Sequence, residues 1–148
     1  MKEIQTERLI LRTNCIVENG DLKFPEPPRF TSLLDIQPSK AEDGGFAIYL
    51  KSGDKVGELV GHIGILFKRK PYELTIGIEE QYRRRGYMTE AQDAAIRWIF
   101  DNCDTEKITA LVGSITPVAS RKLCVHSGFH EAREGREEWW ILDKKDFL

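Results

Sequence analysis

Apolar residues in the first half of the chain come in short runs that alternate with polar residues, a pattern typical of β-strands. Thr6–Arg12, with the sequence TERLILR, predicts a first strand. Phe46–Phe67 contains two apolar runs separated by a turn-forming cluster around Gly53, which predicts a β-hairpin. Tyr72–Ile78, YELTIGI, predicts a further strand. Prolines break the chain between the first strand and the hairpin, and only a short helix at Phe30–Ile36 is expected there.

After Gly86 the apolar residues recur at steps of three and four, which is the period of a helix with one buried face. This helix is predicted to end near Asn102, with its apolar face formed by Met88, Ala91, Ala94, Ala95, Trp98 and Ile99. Ile108–Val112 then predicts a buried strand, which forms a βαβ unit with YELTIGI and the helix. Start and stop signals at Thr116-Pro117 and Gly128 predict a second helix. Terminal strands are expected at Phe129 and Glu138–Leu142.

The chain of 148 residues has the size of one ordinary domain, and we expect a single domain over residues 1–148. Strands with inserted helices indicate the α+β or mixed α/β class. A net charge of -2 disfavours a nucleic-acid partner or a membrane surface, and no apolar window approaches the length of a membrane span. The three cysteines are far apart and fit neither a disulfide framework nor a zinc site. A cytoplasmic location is therefore expected.

Three arginines and a glycine stand between the YELTIGI strand and the first predicted helix. The N–H groups in the first turn of a helix lack intrahelical partners and lie at the positive end of its dipole. Gly86 removes a Cβ where an anion would approach the main chain, and Arg83, Arg84 and Arg85 add positive charge. The segment suits a diphosphate, although it contains neither a P-loop nor a dinucleotide fingerprint. From these residues alone, a solvated loop with ordinary turn chemistry is the more common explanation.

Two segments, YELTIGIEEQYRRRGYMTEA and TPVASRKLCVHSGF, resemble the GNAT superfamily of acyl-CoA N-acyltransferases. The similarity is strongest to the branch related to ribosomal-protein N-terminal acetyltransferases, which TERLILR and WWILDKKDF also resemble. The resemblance implies a mostly antiparallel twisted sheet flanked by helices, in which two parallel strands splay apart. It also implies acetyl-CoA as the cosubstrate and no metal.

In the family, a [Q/R]-x-x-G-x-[G/A] motif binds the diphosphate of acetyl-CoA through main-chain amides. The motif maps to Arg83, Gly86 and Met88, where Met88 departs from the small residue of the pattern. The pantetheine arm is expected to pair with exposed backbone near Ile76–Glu79. The implied cofactor site comprises Ile76, Gly77, Ile78, Glu79, Arg83, Arg84, Arg85, Gly86, Tyr87, Met88, Thr89 and Ser120.

Two residues are candidates for proton transfer. Glu73 matches a glutamate of the resembling enzymes and would accept the amine proton through water or bind a cationic substrate. A strand-end carboxylate paired with Arg69 or Lys70 is an equally open interpretation. Cys124 replaces the family's tyrosine and would protonate the departing thiolate, because the reference pKa of a thiol is close to that of the product. A small core residue is the more common role of a buried thiol.

The resemblance implies direct transfer, in a ternary complex, to a primary amine on a protein N-terminus or a small molecule. Pro117 replaces the family's asparagine, which with Cys124 leaves open a non-catalytic acyl-CoA-binding sensor or interaction module. His126 and His130 are separated by the helix stop at Gly128, so no metal pair is expected. Of the adjacent Trp139 and Trp140, one should enter the core and the other line a substrate pocket. A homodimer through an exposed strand edge is compatible with such a sheet.

Overall fold

The structure, a computed structural model, describes residues 2–24, 43–78, 80–112 and 117–147. In chain order, the strands are β1 (Lys2–Gln5), β2 (Leu9–Thr13), β3 (Ile16–Glu18), β4 (Asp21–Lys23), β5 (Asp43–Ser52), β6 (Lys55–Leu66), β7 (Tyr72–Ile78), β8 (Lys107–Leu111), β9 (His130–Glu134) and β10 (Glu137–Asp143). The helices are α1 (Tyr87–Asn102) and α2 (Pro117–Ser127), with 3-10 turns at Glu80–Tyr82 and Lys144–Asp146. The helix predicted at residues 30–36 lies outside the described residues.

Eight strands form one sheet in the order β1-β2-β5-β6-β7-β8-β10-β9, and β3 pairs with β4 in a separate hairpin. Neighbouring strands in the described residues are antiparallel except β7 and β8, which are parallel. Because α1 connects β7 to β8, the predicted βαβ unit is confirmed. The mostly antiparallel sheet with its parallel pair confirms the predicted α+β class.

The first predicted strand is partly wrong, because β2 begins at Leu9 and not at Thr6. Thr6 turns the chain instead: its N–H donates to the Leu9 carbonyl at 3.0 Å, and its hydroxyl oxygen accepts from the Leu9 N–H at 3.0 Å. β1, which precedes this turn, is absent from the sequence prediction. Its side chains are mostly exposed, so the strand has no apolar alternation to reveal it.

Two of the hairpins have the short turns that glycine permits. The predicted hairpin of β5 and β6 is confirmed, with Gly53 at φ 66° in its two-residue turn. The hairpin of β3 and β4 is absent from the prediction, although Asn19-Gly20 is a strong turn signal. Asn19 and Gly20 have φ values of 53° and 81°, the sign that a type I′ turn requires at both positions.

The two helices pack against each other and against the sheet. The predicted face of α1 is confirmed at Ala91, Ala95 and Ile99, but the buried face also takes in Gln92, Ile96 and Phe100. Gln92 is buried against α2, where its Nε2 donates to the Ser127 hydroxyl at 3.0 Å, and Phe100 packs against Phe147 with 6.0 Å between the ring centres. α1 is therefore held from two sides.

The C-terminus of α2 closes with the predicted glycine cap. Gly128 has φ 99°, and its N–H donates to the Val125 carbonyl at 3.2 Å. The next N–H, of Phe129, donates to the Cys124 carbonyl at 3.0 Å, which completes a Schellman motif. The predicted terminal strands follow as β9, which begins one residue after the buried Phe129, and β10.

The core holds three free thiols whose burial predicts a pH-dependent stability. Burial raises the pKa of Cys103 and Cys124 from 9.0 to about 11, and it also raises the pKa of Cys15. Above pH 9 the unfolded thiols lose protons that the folded ones keep, so stability is complete below that pH and falls as pH rises toward 11. We expect the free energy of unfolding to fall by about 2 to 3 kcal/mol per strongly shifted thiol.

Urea unfolding at pH 8, 9.5 and 11 measures this dependence. The Cys124→Ala variant serves as the control, because it removes one of the shifted thiols and should show a shallower loss of stability with pH. Equal pH dependence of the variant and the wild type would contradict the assignment.

Candidate cofactor and active site

The parallel pairing of β7 and β8 covers only three residue pairs. Tyr72–Leu74 align with Ile108–Ala110, whereas β7 continues to Ile78 against β6 alone. β8 pairs with β10 along its whole length, Lys107–Leu111. In the described ranges, Thr75–Ile78 thus present a backbone edge with no strand partner on the β8 side, where an extended molecule can pair. The implied splay between two parallel strands is confirmed.

The turn that joins β7 to α1 has main-chain conformations suited to an anion. Arg84 has φ 65° and Gly86 has φ 80°, both left-handed, with Arg85 between them. Left-handed residues in such turns direct neighbouring main-chain N–H groups to a common side, where an anion can bind. Gly86 occupies the N-cap of α1 and has no side chain to hydrogen-bond the first turn. The N–H groups of Tyr87–Thr89 lie in the first turn of the helix and therefore have no intrahelical partner.

The three arginines of the turn have different surroundings. Arg83 Nε donates to the Ile78 carbonyl at 3.0 Å and so fastens the turn to the end of β7. The Arg85 guanidinium lies 6.0 Å from the centre of the Tyr82 ring, and the Arg84 side chain is exposed. Arg84 and Arg85 therefore supply exposed positive charge around the turn, while Arg83 stabilises its shape.

Glu73 lies where the splay begins, on the face of the sheet opposite α1. Side chains alternate along β7: Tyr72 and Leu74 enter the core that contains α1, whereas Glu73 and Thr75 point the other way. A cavity of about 440 Å³ lies on the Glu73 face and is lined by Leu66, Lys68, Arg69, Pro71, Glu73, Thr109 and Trp139. Its size is in the range of small-molecule sites.

The surroundings of Glu73 bear on whether it acts on the substrate or is a strand-end carboxylate paired with Arg69 or Lys70. Lys70 contacts other groups, with its Nζ 2.6 Å from an Asp21 carboxylate oxygen and 2.7 Å from the Asp104 carbonyl. Arg69 lines the cavity together with Glu73. Of the two cations considered as partners, Arg69 is thus the one that shares a site with Glu73.

The register of β10 on β8 separates the two tryptophans. Trp140 aligns with Ala110 and is 8% exposed in the core, whereas Trp139 aligns with Leu111 and lines the cavity. The division of roles predicted for this pair is therefore resolved. Sequence alone could not decide it, because the register of β10 is a long-range property.

The two candidate residues of α2 differ in burial. Ser120 is half-buried in the first turns of the helix, whereas Cys124 is 4% exposed within the core. Burial and, secondarily, the Glu138 carboxylate raise the pKa of Cys124 to about 11. The thiol keeps its proton at neutral pH and holds it more tightly than an ordinary thiol. Residues 113–116 before this helix, like Glu79 beyond β7, lie outside the described residues.

His126 and His130 lie on different elements, as their separation by Gly128 predicts. His126 Nε2 lies 3.1 Å from an Asp93 oxygen on α1. His130 faces Asp143 at 3.9 Å, and Asp143 is also contacted by the ammonium of Lys107 at 3.1 Å. Both histidines therefore belong to surface charge clusters.

Sequence reasoning missed the contact between the Thr6 turn and the start of α1. Arg8 Nε donates to Glu90 Oε1 at 2.7 Å, and Arg8 Nη1 donates to the Arg85 carbonyl at 2.7 Å. The Thr6 hydroxyl also donates to Glu90. These residues are more than 70 positions apart in the chain, and no local pattern joins them.

A family comparison decides the class of protein. The model of the acetyltransferase (GNAT) domain matches residues 25–130. The chain belongs to the GNAT acetyltransferase family. Membership confirms the predicted class, an N-acetyltransferase, and acetyl-CoA as its cosubstrate. A comparison with curated proteins found no match.

Solved GNAT structures share the fold at low sequence identity. An acetyltransferase from Agrobacterium tumefaciens str. C58 is 17% identical with a TM-score of 0.70, over 97% of this chain and 95% of the other. A putative ribosomal-protein-serine acetyltransferase from Vibrio cholerae is 19% identical with a TM-score of 0.66, over 96% and 97%. RimJ from Mycobacterium smegmatis, in complex with CoA-disulfide, is 18% identical with a TM-score of 0.59. That match covers 71% of this chain and 55% of RimJ.

Both described helices of this GNAT protein are too short or too polar to cross a membrane.

Proposed function

We propose that this GNAT protein transfers the acetyl group of acetyl-CoA directly to a primary amine while both substrates are bound. The observation that carries the proposal is the continuity of three features along β7. Glu73 borders the cavity, Thr75–Ile78 follow with an open backbone edge, and the anion-suited turn comes next. An extended cofactor placed along this path would bring its acyl end to the cavity and its diphosphate to α1.

The proposed cofactor contacts follow the chemistry of each part of the path. The backbone at Ile76, Gly77, Ile78 and Glu79 would pair with the pantetheine amides. The turn and first helical residues, Arg83–Thr89, would receive the diphosphate through main-chain N–H groups and arginine charge. Ser120, half-buried on α2, would add a hydrogen bond from its hydroxyl.

In the proposed reaction, the neutral amine nitrogen attacks the thioester carbonyl carbon, and the C–S bond breaks as the N–C bond forms. Glu73 is proposed to accept the proton that the amine loses, through water. The departing thiolate takes a proton from Cys124 or from water. Because the pKa of Cys124 is raised to about 11, proton transfer from it is uphill and its contribution should be small. Turnover of the Cys124→Ala variant tests this directly.

The cavity is the proposed acceptor site. Lys68 and Arg69 place two cations on its wall beside the single carboxylate of Glu73, and Trp139 adds an aromatic surface. This balance favours an amine whose carrier also has a carboxylate, such as an amino acid or a peptide with acidic residues near its N-terminus, over a polyamine. The resemblance to ribosomal-protein acetyltransferases and the Vibrio cholerae neighbour of that name support a protein N-terminus.

We further propose that residues 1–148 act as one domain in the cytoplasm. The sheet joins strands from both ends of the described chain, and the three buried cysteines are free thiols. Free thiols fit a reducing compartment. A homodimer through the edge strands β1 or β9 stays a prediction that measurement of the solution mass would test.

The melting temperature with and without acetyl-CoA tests the cofactor part of the proposal. A ligand at about one hundred times its Kd stabilises the folded state by about 2.7 kcal/mol. For a chain of this size, that corresponds to a rise of roughly 5 to 10 °C. A saturable rise supports the site, whereas no rise and no binding by calorimetry would reject it.

An amine screen, read as release of free CoA, then separates an enzyme from a binding module. Short peptides and amino acids are compared with polyamines at equal concentration. We expect turnover with the carboxylate-bearing amines. Binding of acetyl-CoA without turnover on any amine would favour the non-catalytic sensor instead.

A further inference from the structure

The segment between β1 and β2 lies over the start of α1. Arg8 is the last residue of this segment, and its guanidinium lies 4.6 Å from the middle of the Tyr87 ring. Its Nε donates to Glu90 Oε1 at 2.7 Å, and its main-chain N–H donates to Glu90 Oε2 at 2.8 Å. Its Nη1 donates to the Arg85 carbonyl at 2.7 Å. One side chain thus contacts both the helix and the turn before it.

Glu90 would be unfavourable beside a bound anion if its charge were unbalanced. Its carboxylate stands in the first turn of α1, near the N–H groups proposed to receive the diphosphate. Burial alone would raise the pKa of Glu90, but hydrogen bonds from Thr6 and from the main chain and side chain of Arg8 lower it. The carboxylate is therefore ionised, with both oxygens turned toward the Thr6–Arg8 segment.

The contact with Arg85 fixes the orientation of one peptide group. The Arg85 carbonyl and the Gly86 N–H belong to the same planar trans peptide and point in opposite directions. Because Arg8 holds the carbonyl, the Gly86 N–H is directed away from the guanidinium. Gly86 adopts a left-handed conformation with φ 80°. Because glycine has many accessible main-chain conformations, this peptide group could take other orientations without the contact to Arg8.

We propose that Arg8 is a positioning residue for the cofactor, which holds the peptide between Arg85 and Gly86 so that its N–H faces the diphosphate of acetyl-CoA. The inference rests on the proposed function of the turn. Arg8 acts through the main chain of the turn and does not itself contact the reacting atoms. Its fork of donors allows it to bind Glu90 and Arg85 together.

The experiment compares two ligands that differ at the diphosphate. CoA contains the diphosphate, whereas pantetheine lacks it, and calorimetry measures the Kd of each. Loss of the charge-assisted hydrogen bond from the Gly86 N–H to the diphosphate should weaken CoA binding to the Arg8→Ala variant roughly tenfold. The Kd of pantetheine should not change. In turnover assays the KM for acetyl-CoA should rise with kcat unchanged, since uniform binding is lost.

Arg12→Ala is a matched control on β2, the strand that begins directly after Arg8. Arg12 Nε contacts Glu3 at 2.9 Å and its guanidinium lies 5.8 Å from the centre of the Tyr49 ring, so it makes the same kinds of contact away from the turn. CoA affinity should be unchanged in this variant. Thermal unfolding of every variant verifies that it is folded.

Arg8→Lys separates positioning from charge. A lysine keeps the positive charge beside Glu90 but has no planar fork to contact Glu90 and the Arg85 carbonyl together. We expect this variant to bind CoA almost as weakly as Arg8→Ala. CoA affinity equal to the wild type in Arg8→Lys, or equal losses for CoA and pantetheine in Arg8→Ala, would overturn the inference. If the wild type itself does not bind CoA, the proposed function fails as well.

Discussion

Gly86→Val is expected to lower the affinity for acetyl-CoA about a hundredfold, from main-chain strain combined with lost amide contacts. Gly86 has φ 80°, which a β-branched residue adopts only with strain. A Cβ at this position would also stand 3.1 Å from Arg8 Nη2, so the guanidinium would have to move.

The variant should lose more binding than folding stability, and a second glycine can separate the two effects. Gly53 has φ 66° in the turn between β5 and β6, with no atom within 4 Å of an added Cβ. Gly53→Val therefore imposes similar main-chain strain far from the proposed site. Calorimetric titration with acetyl-CoA and urea unfolding are measured on both variants. Equal CoA affinity of Gly86→Val and Gly53→Val would show that the turn does not receive the cofactor.

The βαβ unit around the splay could be predicted because its signals are local. β7 alternates the apolar Tyr72, Leu74, Ile76 and Ile78 with other residues, α1 has the helical period, and Gly128 marks the end of α2 with a Schellman motif. The family resemblance then placed the cofactor on the turn between β7 and α1. Neither the local sequence patterns nor the family resemblance required knowledge of distant contacts.

Other features could be identified only from the three-dimensional structure. The cavity beside Glu73 is lined from four strands and the connection before β7, and only the register of β10 on β8 places Trp139 there. The contacts of Arg8 join residues 82 positions apart. The Asn19-Gly20 hairpin is a different kind of miss, because its signal is local and its strands are simply short.

Glu73→Gln is expected to reduce kcat by about a hundredfold, the lower end of what general acid-base catalysis contributes. Glutamine keeps the size of the side chain and its hydrogen-bonding capacity but cannot accept a proton as a base. Glu73 lies at the start of the splay and on the wall of the cavity, between the proposed acyl end of the cofactor and the proposed amine. The KM for acetyl-CoA should stay unchanged, because the proposed cofactor contacts lie further along the chain.

The pattern of kinetic change distinguishes the roles that are open to Glu73. Loss of kcat with an unchanged KM for the amine supports proton transfer, whereas a raised amine KM at constant kcat would assign Glu73 to binding a cationic substrate. Glu106→Gln is the control, since Glu106 is an exposed carboxylate directly before β8. Identical kinetics of Glu73→Gln, Glu106→Gln and the wild type would leave Glu73 as a strand-end carboxylate paired with cations such as Arg69. Proton transfer would then have to involve another group or water.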